Sequence, residues 1–313
     1  MITLTQLEYV VAVDNFRHFA QAADHCFITQ PTLSMQIKKL EDELDIKIFD
    51  RSKQPVIPTD IGQQFIEQAR LVLAEAGRLN ELVKHFQSDI SGNLRIGIIP
   101  TLAPYLLPLF AGKFKRKYPQ VKLRFEEMIT ESIVSKLHTD QLDAGIFVTP
   151  FRDQAIIEVP VFYEEMLIYA HPGHPLLSQS GVSVKDAAKP DLWLLSDGHC
   201  FRNQVVNLCS APDISTHDLP FDLQGSSLET LIRMIDREGG FTLVPELAVL
   251  EMPLAQQQNT THFADIKPVR EVSVCYARNY VKRRLNQLLV DEIRDGVPAA
   301  LRDPQRGELV TWK

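Results

Sequence analysis

Four cysteines in 313 residues are too few and too scattered for the disulfide framework of a small secreted domain. The N-terminus has no basic region followed by an apolar one; Gln6, Glu8 and Asp14 stand in its first turns, so no signal peptide is expected. No apolar run approaches membrane-spanning length, so no membrane partner is expected and the chain reads as cytoplasmic, where thiols stay reduced unless they are catalytic or redox-sensing. Positive charge is also short: the net charge is -7, against a generally polycationic nucleic-acid binder but compatible with a local basic face. His18, His25 and Cys26 lack zinc-ligand spacing, and His171, His174 and His217 form no recognisable cluster, so neither metal nor cofactor is expected. Repeats and low-complexity tracts are absent. What remains, 45% hydrophobic, is enough for two or three globular units with real cores.

The most informative stretch runs over residues 196–209. Cys200 follows His199 and precedes Arg202, and Cys209 lies nine positions on. The apolar run 192–195 reads as a strand and Asp197-Gly198 as the turn that ends it, so Cys200 opens a helix. Positive charge and a helix N-terminus both favour the thiolate, which is the nucleophile. A continuous helix would hold the two cysteines about 13 to 14 Å apart at about 1.5 Å per residue, whereas a disulfide needs Cα atoms within about 7 Å. Pairing them therefore demands unwinding, which makes such a bond a switch. The bland alternative is two small hydrophobes in a core. Cys26, on a packed helix, and Cys275, in an alternating strand, read as core.

In chain order, Thr5-Gln6-Leu7-Glu8 has capping-box spacing ahead of Val10 and Val11, which predicts a first helix. A short helix follows through Phe19, Ala22, Ala23 and Cys26. A third runs over residues 31–44 with Pro31 in its first turn. Leu33, Ile37, Leu40 and Leu44 form its apolar face. Thr32, Ser34, Gln36 and Lys39 stand opposite, suited to base edges and phosphate in a major groove. Residues 46–59, with Arg51 and Lys53, read as a wing. The alternative is an ordinary three-helix packing unit, and charge favours it: residues 1–58 hold six Lys or Arg against eight Asp or Glu. Residues 60–88 contain no Pro, and Ile61, Phe65, Ala69, Val72, Ala76, Leu79, Val83 and Phe86 step by threes and fours. That is a seam for a long pairing helix, or a helix lying on its own domain. Beyond Gly92, strands at 94–100, 121–125, 144–148, 166–170, 192–195, 241–244 and 272–276 alternate with helices at about 102–117, 132–137, 228–236 and 282–294. That order argues for a parallel α/β sheet with ligand sites at strand ends.

The run Phe19-Ala20-Gln21-Ala22-Ala23-Asp24, then Thr29-Gln30-Pro31-Thr32-Leu33-Ser34-Met35-Gln36-Ile37-Lys38-Lys39-Leu40-Glu41, with Phe49-Asp50-Arg51 and Thr59-Asp60-Ile61-Gly62, resembles the winged helix-turn-helix of LysR-type transcriptional regulators. The resemblance implies an α/β protein with an N-terminal winged helix-turn-helix (1–59), a long linker and dimerisation helix (60–90), and a two-lobed regulatory domain like a periplasmic binding protein. Its lobes would comprise 91–164 with 267–302, and 165–266, crossing near Glu164 and Ile266 and leaving a tail at 303–313. The acidic cluster 41–45 falls at the far end of the recognition helix. Double-stranded DNA would meet Gln30, Pro31, Thr32, Ser34, Gln36, Lys39, Arg51 and Lys53, bound by a homodimer or homotetramer.

Further motifs, Gly97-Ile98-Ile99-Pro100-Thr101, Pro104-Tyr105-Leu106-Leu107-Pro108, Asp197-Gly198-His199-Cys200, Arg202, Gln204, Cys209 and Ser227-Leu228-Glu229-Thr230-Leu231, resemble the peroxide-sensing members of that family. By that likeness Cys200 is the peroxidatic cysteine and Cys209 the resolving one, with Thr101, Thr130, Gly198, His199, Arg202 and Arg270 around the hydrogen peroxide. It also implies an activator of oxidative-stress genes, with RNA polymerase and a thiol reductant as partners and no enzymatic turnover. Asn203 and Phe201 depart from the common Asp and Leu, and 210–226 is too dissimilar to carry residues over. Two rivals stand beside this reading: a LysR-type receptor for a small metabolite in the inter-lobe cleft, and a thiol peroxidase-type enzyme using His199 or Arg202 to activate Cys200.

Because Gln36 lies off the Leu33, Ile37, Leu40 face, Gln36→Ala should lower the preference for specific over scrambled DNA by about tenfold, the worth of a base contact, with an unchanged melting curve. Loss of cooperative melting would put Gln36 in the core instead.

Overall fold

In a computed structural model of the protein, describing residues 2–86, 90–179, 181–196, 200–209, 227–278 and 282–310, the first helix is capped by Thr3 rather than Thr5. The Thr3 hydroxyl accepts from Gln6 N–H while the Gln6 side chain accepts from Thr3 N–H, a capping box two residues earlier than the one the spacing predicts. The chain divides into two compact units between Asp89 and Ile90.

The N-terminal unit contains α1 (Leu4–Phe16), α2 (Phe19–His25), α3 (Gln30–Leu44), a two-stranded wing of β1 (Phe49–Asp50) and β2 (Ile57–Pro58), and α4 (Asp60–Phe86). The wing strands pair antiparallel. Val10, Val13, Ala22, Ala23, Leu33, Ile37, Leu40, Ile48 and Phe49 form its core. Thr29 caps α3, and Pro31 occupies its first turn, where a missing N–H goes unneeded. Thr59 ties the wing to α4, its hydroxyl donating to the Lys47 carbonyl and accepting from Gly62 N–H. The chain passes so close at Gly62 that an added Cβ would collide with the Ile48 carbonyl.

Glu41, at the far end of α3, is buried: its carboxylate accepts from Ile48 N–H at 2.8 Å and Phe49 N–H at 3.3 Å, and pairs with Arg51 at 3.0 Å. The predicted seam on α4 is divided. Phe65 and Ala69 pack against Leu7 and Val11 of the same unit, and Arg70 pairs with Asp14 at 2.9 Å. By contrast Ile61, Leu71, Val72 and Leu79 are exposed, Leu79 to 67%. The side chains of Val83 and Phe86 lie outside the described set.

The second unit is built on β3 (Gly92–Ile98), α5 (Ala103–Lys117), β4 (Val121–Glu127), α6 (Thr130–His138), β5 (Ala144–Thr149), β6 (Ile156–Ala170), α7 (Cys200–Leu208), α8 (Leu228–Glu238), β7 (Phe241–Pro245), α9 (Glu246–Glu251), α10 (Leu254–Gln257), β8 (Thr260–Thr261), β9 (Pro268–Ala277), α11 (Arg283–Gly296) and β10 (Glu308–Leu309). The strand order is β4-β3-β5-β9-β6-β7, with β8 on β6 and β10 on β9. The sheet is mixed, not parallel throughout: β3 runs parallel to β4 and β5, whereas β9 is antiparallel to both β5 and β6, and β6 is antiparallel to β7. The run 166–170 is only the end of the 15-residue β6, whose register shifts between Pro160 and Phe162. Its polar first part, with Glu158, Glu164 and Glu165, hid it.

Residues 192–195 are no strand. They are extended and buried, joined to β7 by one bridge at Leu192, by Trp193 N–H donating to Phe241 O at 2.8 Å, and by Thr242 Oγ1 donating to Trp193 O. A short apolar run signals burial without distinguishing a strand from an extended neighbour.

The free apolar side chains of α4 invite a helix partner. Val72→Asp and Leu79→Asp should each lower the oligomeric state in sedimentation, weakening association by about 100-fold or more, since a seam that buries an unpaired carboxylate is heavily penalised. Unchanged mass in both would refute the seam.

Candidate functional site

Arg51 organises the outer face of α3. Its guanidinium pairs with Glu41, donates to Ser34 Oγ at 3.2 Å and lies 5.0 Å from the Phe19 ring centroid. Gln30, Pro31, Lys39 and Lys53 are exposed, and Thr32, Ser34 and Gln36 half-buried. A groove of about 650 Å³ is lined by Gln30, Ser34, Arg51 and Lys53 together with Arg17, His18 and Gln21. None of the last three was among the residues expected to meet DNA; Arg17 stands at the C-terminal end of α1 in a left-handed conformation (φ 51°) and pairs with Asp14 at 2.8 Å.

Residues 4–63 match the bacterial regulatory helix-turn-helix protein model of the lysR family, and residues 87–298 match the LysR substrate binding domain. The chain belongs to the LysR family of transcriptional regulators. LysR-family proteins bind DNA and act as oligomers; they are regulators, not enzymes. The chain is 34% identical to a Haemophilus influenzae protein named hydrogen peroxide-inducible genes activator, over 96% of this chain and 99% of that one. It is 36% identical to the Escherichia coli DNA-binding transcriptional dual regulator OxyR, over 94% and 95%. Among solved structures it is similar to a full-length OxyR mutant from Pseudomonas aeruginosa, with a TM-score of 0.79, 33% identity and coverage of 95% and 99%. A hydrogen-peroxide-bound OxyR mutant from Corynebacterium glutamicum gives 0.60 at 26% identity, covering 94% and 92%.

In this LysR-family chain Cys200 and Cys209 are both free and buried, at the two ends of α7: Cys200 is its first residue, and Cys209 follows its last and donates N–H to Val205 O. The nine-residue helix between them keeps the thiols out of bonding reach. Burial pushes the Cys200 thiol up, opposed by the nearby Thr130 hydroxyl, by the Arg270 charge and by Phe201 N–H, while Glu131 adds to the rise. Burial pushes Cys209 up to about 12, so it stays a thiol at neutral pH. Thr130, at the start of α6, is buried, and its hydroxyl, near enough to Cys200 to favour the thiolate, has no hydrogen-bond partner among the described residues.

Arg270 is a cation whose charge acts on the thiol. Arg202 donates to Leu195 O at 3.2 Å and so holds the extended segment before α7; Gly198 and His199 lie outside the described residues. Arg270 is wholly buried. It donates to Thr101 Oγ1 at 3.1 Å and Thr101 O at 3.3 Å, pairs with Glu164 at 2.7 Å, and lies 5.3 Å from the Phe201 ring centroid. Thr101, which the resemblance set around the peroxide, is thus a partner of Arg270.

Sequence reasoning missed Glu164 as a charge partner and Phe201 as a contact. The only signal was an ionisable residue in each of two apolar strands. It also missed Tyr105, on α5, whose hydroxyl donates to Glu229 of α8 at 2.7 Å. Burial and that carboxylate push the Tyr105 phenol up. A cavity of about 260 Å³ is lined by Pro100, Tyr105, Ile129 and Glu229 among others, so chain neighbours of Thr101 and Thr130 line it. Cys275 is buried and pushed well up by burial, and Cys26 is half-buried at the end of α2. No group of three His, Cys, Asp or Glu among the described residues is placed to hold a metal, and none of their helices is long and apolar enough to cross a membrane.

Since the thiolate is the nucleophile and the Thr130 hydroxyl favours it, Thr130→Val should raise the Cys200 pKa further and slow its oxidation at neutral pH. The loss should be about tenfold, the worth of a hydrogen bond to a charged group. In a Cys209→Ser background, the rate of Cys200 modification followed against pH should show the deficit shrinking as alkali restores the thiolate. A uniform deficit would make Thr130 a steric group only.

Proposed function

We propose that the chain is a peroxide-responsive regulator, binding double-stranded DNA as a homodimer or homotetramer in the cytoplasm and activating oxidative-stress genes with RNA polymerase. One observation carries the reading: a buried thiol at the start of a short helix, near an unpartnered hydroxyl and a buried cation, with a second thiol at the other end. The peroxide names of the relatives support it.

In this reading hydrogen peroxide takes the place beside Thr130, whose hydroxyl donates to it or to the thiolate. The Cys200 sulfur attacks one peroxide oxygen, the O–O bond breaks, and the departing oxygen leaves as water after taking a proton. Cys200 is then a sulfenic acid. Arg270 stabilises the thiolate and the negative charge that develops on oxygen. Once α7 unwinds, the Cys209 sulfur attacks Cys200, forming the disulfide and releasing a second water. Two thiols have lost two electrons and the peroxide has gained them. A thiol reductant reverses the bond. In domain terms, residues 1–59 read DNA, 60–90 pair subunits, and the remainder carries the switch through lobes comprising 91–164 with 267–302, and 165–266.

Near-stoichiometric peroxide, followed by digestion without reductant and mass spectrometry, should show a Cys200–Cys209 bond. Cys209→Ser should leave a trappable sulfenic acid on Cys200, Cys200→Ser should abolish both modification and the DNA-binding response, and Cys26→Ser and Cys275→Ser should respond normally. Reduced Cys200 and Cys209 alongside a DNA response to some other small molecule would overturn the reading in favour of a metabolite receptor.

A further inference from the structure

The C-terminal residues after Arg302, expected as a tail beyond the regulatory domain, lie against it as far as Val310. Strand β10 pairs parallel with the start of β9, opposing Glu308 to Pro268 and Leu309 to Val269. Glu308 N–H donates to Lys267 O at 2.8 Å and Val310 N–H to Val269 O at 2.9 Å. That edge is open because β5 pairs with β9 only from Glu271 onward. Arg306, nearly buried, donates to Tyr163 O at 3.0 Å on β6 and pairs with Glu246 of α9 at 2.8 Å. Gly307 passes so close to β9 that a Cβ there would collide with the Lys267 carbonyl and stand 2.5 Å from Val269 Cγ2. The segment thus ties β6, β9 and α9 together. Its last described residue also reaches the switch helix: Gln204, wholly buried on α7, donates Nε2–H to Val310 O at 3.1 Å.

We infer that residues 303–310 are a strap that holds α7 in its reduced, helical conformation, and that disulfide formation breaks the strap's hold through Gln204. The inference rests on the peroxide reading of Cys200 and Cys209. Gln204 lies inside the segment that must unwind to bring the two sulfurs together, so it cannot keep both its helical position and its bond to Val310. Each group holding the strap then favours the dithiol over the disulfide, which sets how readily the switch fires. Gln204 is a positioning residue here, since it acts through the helix and touches no reacting atom.

Hydrogen exchange on the full-length protein tests the strap directly. The amides of Glu308 and Val310 should be protected in the reduced form, and Val310 should lose at least about tenfold protection on oxidation. Gly307→Ala adds one methyl and disturbs the strap without touching α7, and Gln204→Met keeps the volume but removes the donor. In a series of dithiol and disulfide buffers both should move the Cys200–Cys209 equilibrium about fivefold toward the disulfide, a midpoint about 20 mV more negative at about 30 mV per tenfold. A chain ending at Arg302 should do the same, which covers the case in which Gly307→Ala fails to fold. Unchanged Val310 protection in protein whose disulfide is seen by mass spectrometry, or unchanged midpoints in the variants, overturns the strap while leaving the peroxide reading intact. A wild-type chain that forms no such disulfide overturns both.

Discussion

The surroundings of Cys200 depend on the buried pair of Glu164 and Arg270. They face each other across β6 and β9, both wholly inaccessible to water. Bringing two charges out of water costs several kcal/mol per ion, recovered only where the geometry is good and the remaining donors and acceptors are filled. Here they are: Arg270 has Thr101 and both contacts to Glu164, and the second Glu164 oxygen accepts from Leu247 N–H at 3.0 Å. Burial pushes the Glu164 carboxyl up while Arg270 pulls it down. The arginine is thereby held at a fixed place by a partner it cannot leave cheaply. Its field acts on Cys200 without the guanidinium being free to swing away, which is the preorganisation that charge stabilisation in a dry site requires.

The chemistry of α7 follows from its size. A helix of nine residues has little stability of its own in water, so it persists because Cys200, Phe201, Gln204 and Val205 are buried on one face. An element that owes its conformation to packing can be lost as a unit when one packed group changes chemically. Burial also protects the reduced state. Both thiols are pushed up, Cys209 most plainly, so neither reacts with casual oxidants at the rate of an exposed thiolate. The groups that favour the Cys200 thiolate against that burial are local, Thr130 and Arg270 foremost.

The sequence reveals what is periodic or local and conceals what is paired at a distance. Helix faces such as Leu33, Ile37 and Leu40, and the placement of Cys200 at a helix start, repeat or abut signals that a reader can use. Glu164 and Arg270 lie 106 residues apart, and nothing near either one announces the other. Arg202 is adjacent to Cys200 in the chain, and adjacency is all a sequence shows; in the fold one of its bonds goes back to Leu195 O. Arg270 could be carried over only by resemblance, and the resemblance did not include Glu164.

Charge counting misled for the same reason at the DNA-binding end. Eight acids against six bases over residues 1–58 suggest a surface that phosphate would avoid. Glu41 and Asp14 are not part of that surface: one is spent on the wing backbone and Arg51, the other on Arg17 and Arg70. Hydrogen bonds from Ser52 lower the Asp50 pKa, so it stays an ionised carboxylate in the wing. What phosphate meets is set by position, not by the sum. Arg17, Arg51 and Lys53 line the groove beside the α3 N-terminus, where helix dipole and side chains act with the same sign. In a chain of net charge -7 the positive character of this groove comes from Lys53 and the α3 N-terminus, beside arginines already paired with Asp14 and Glu41.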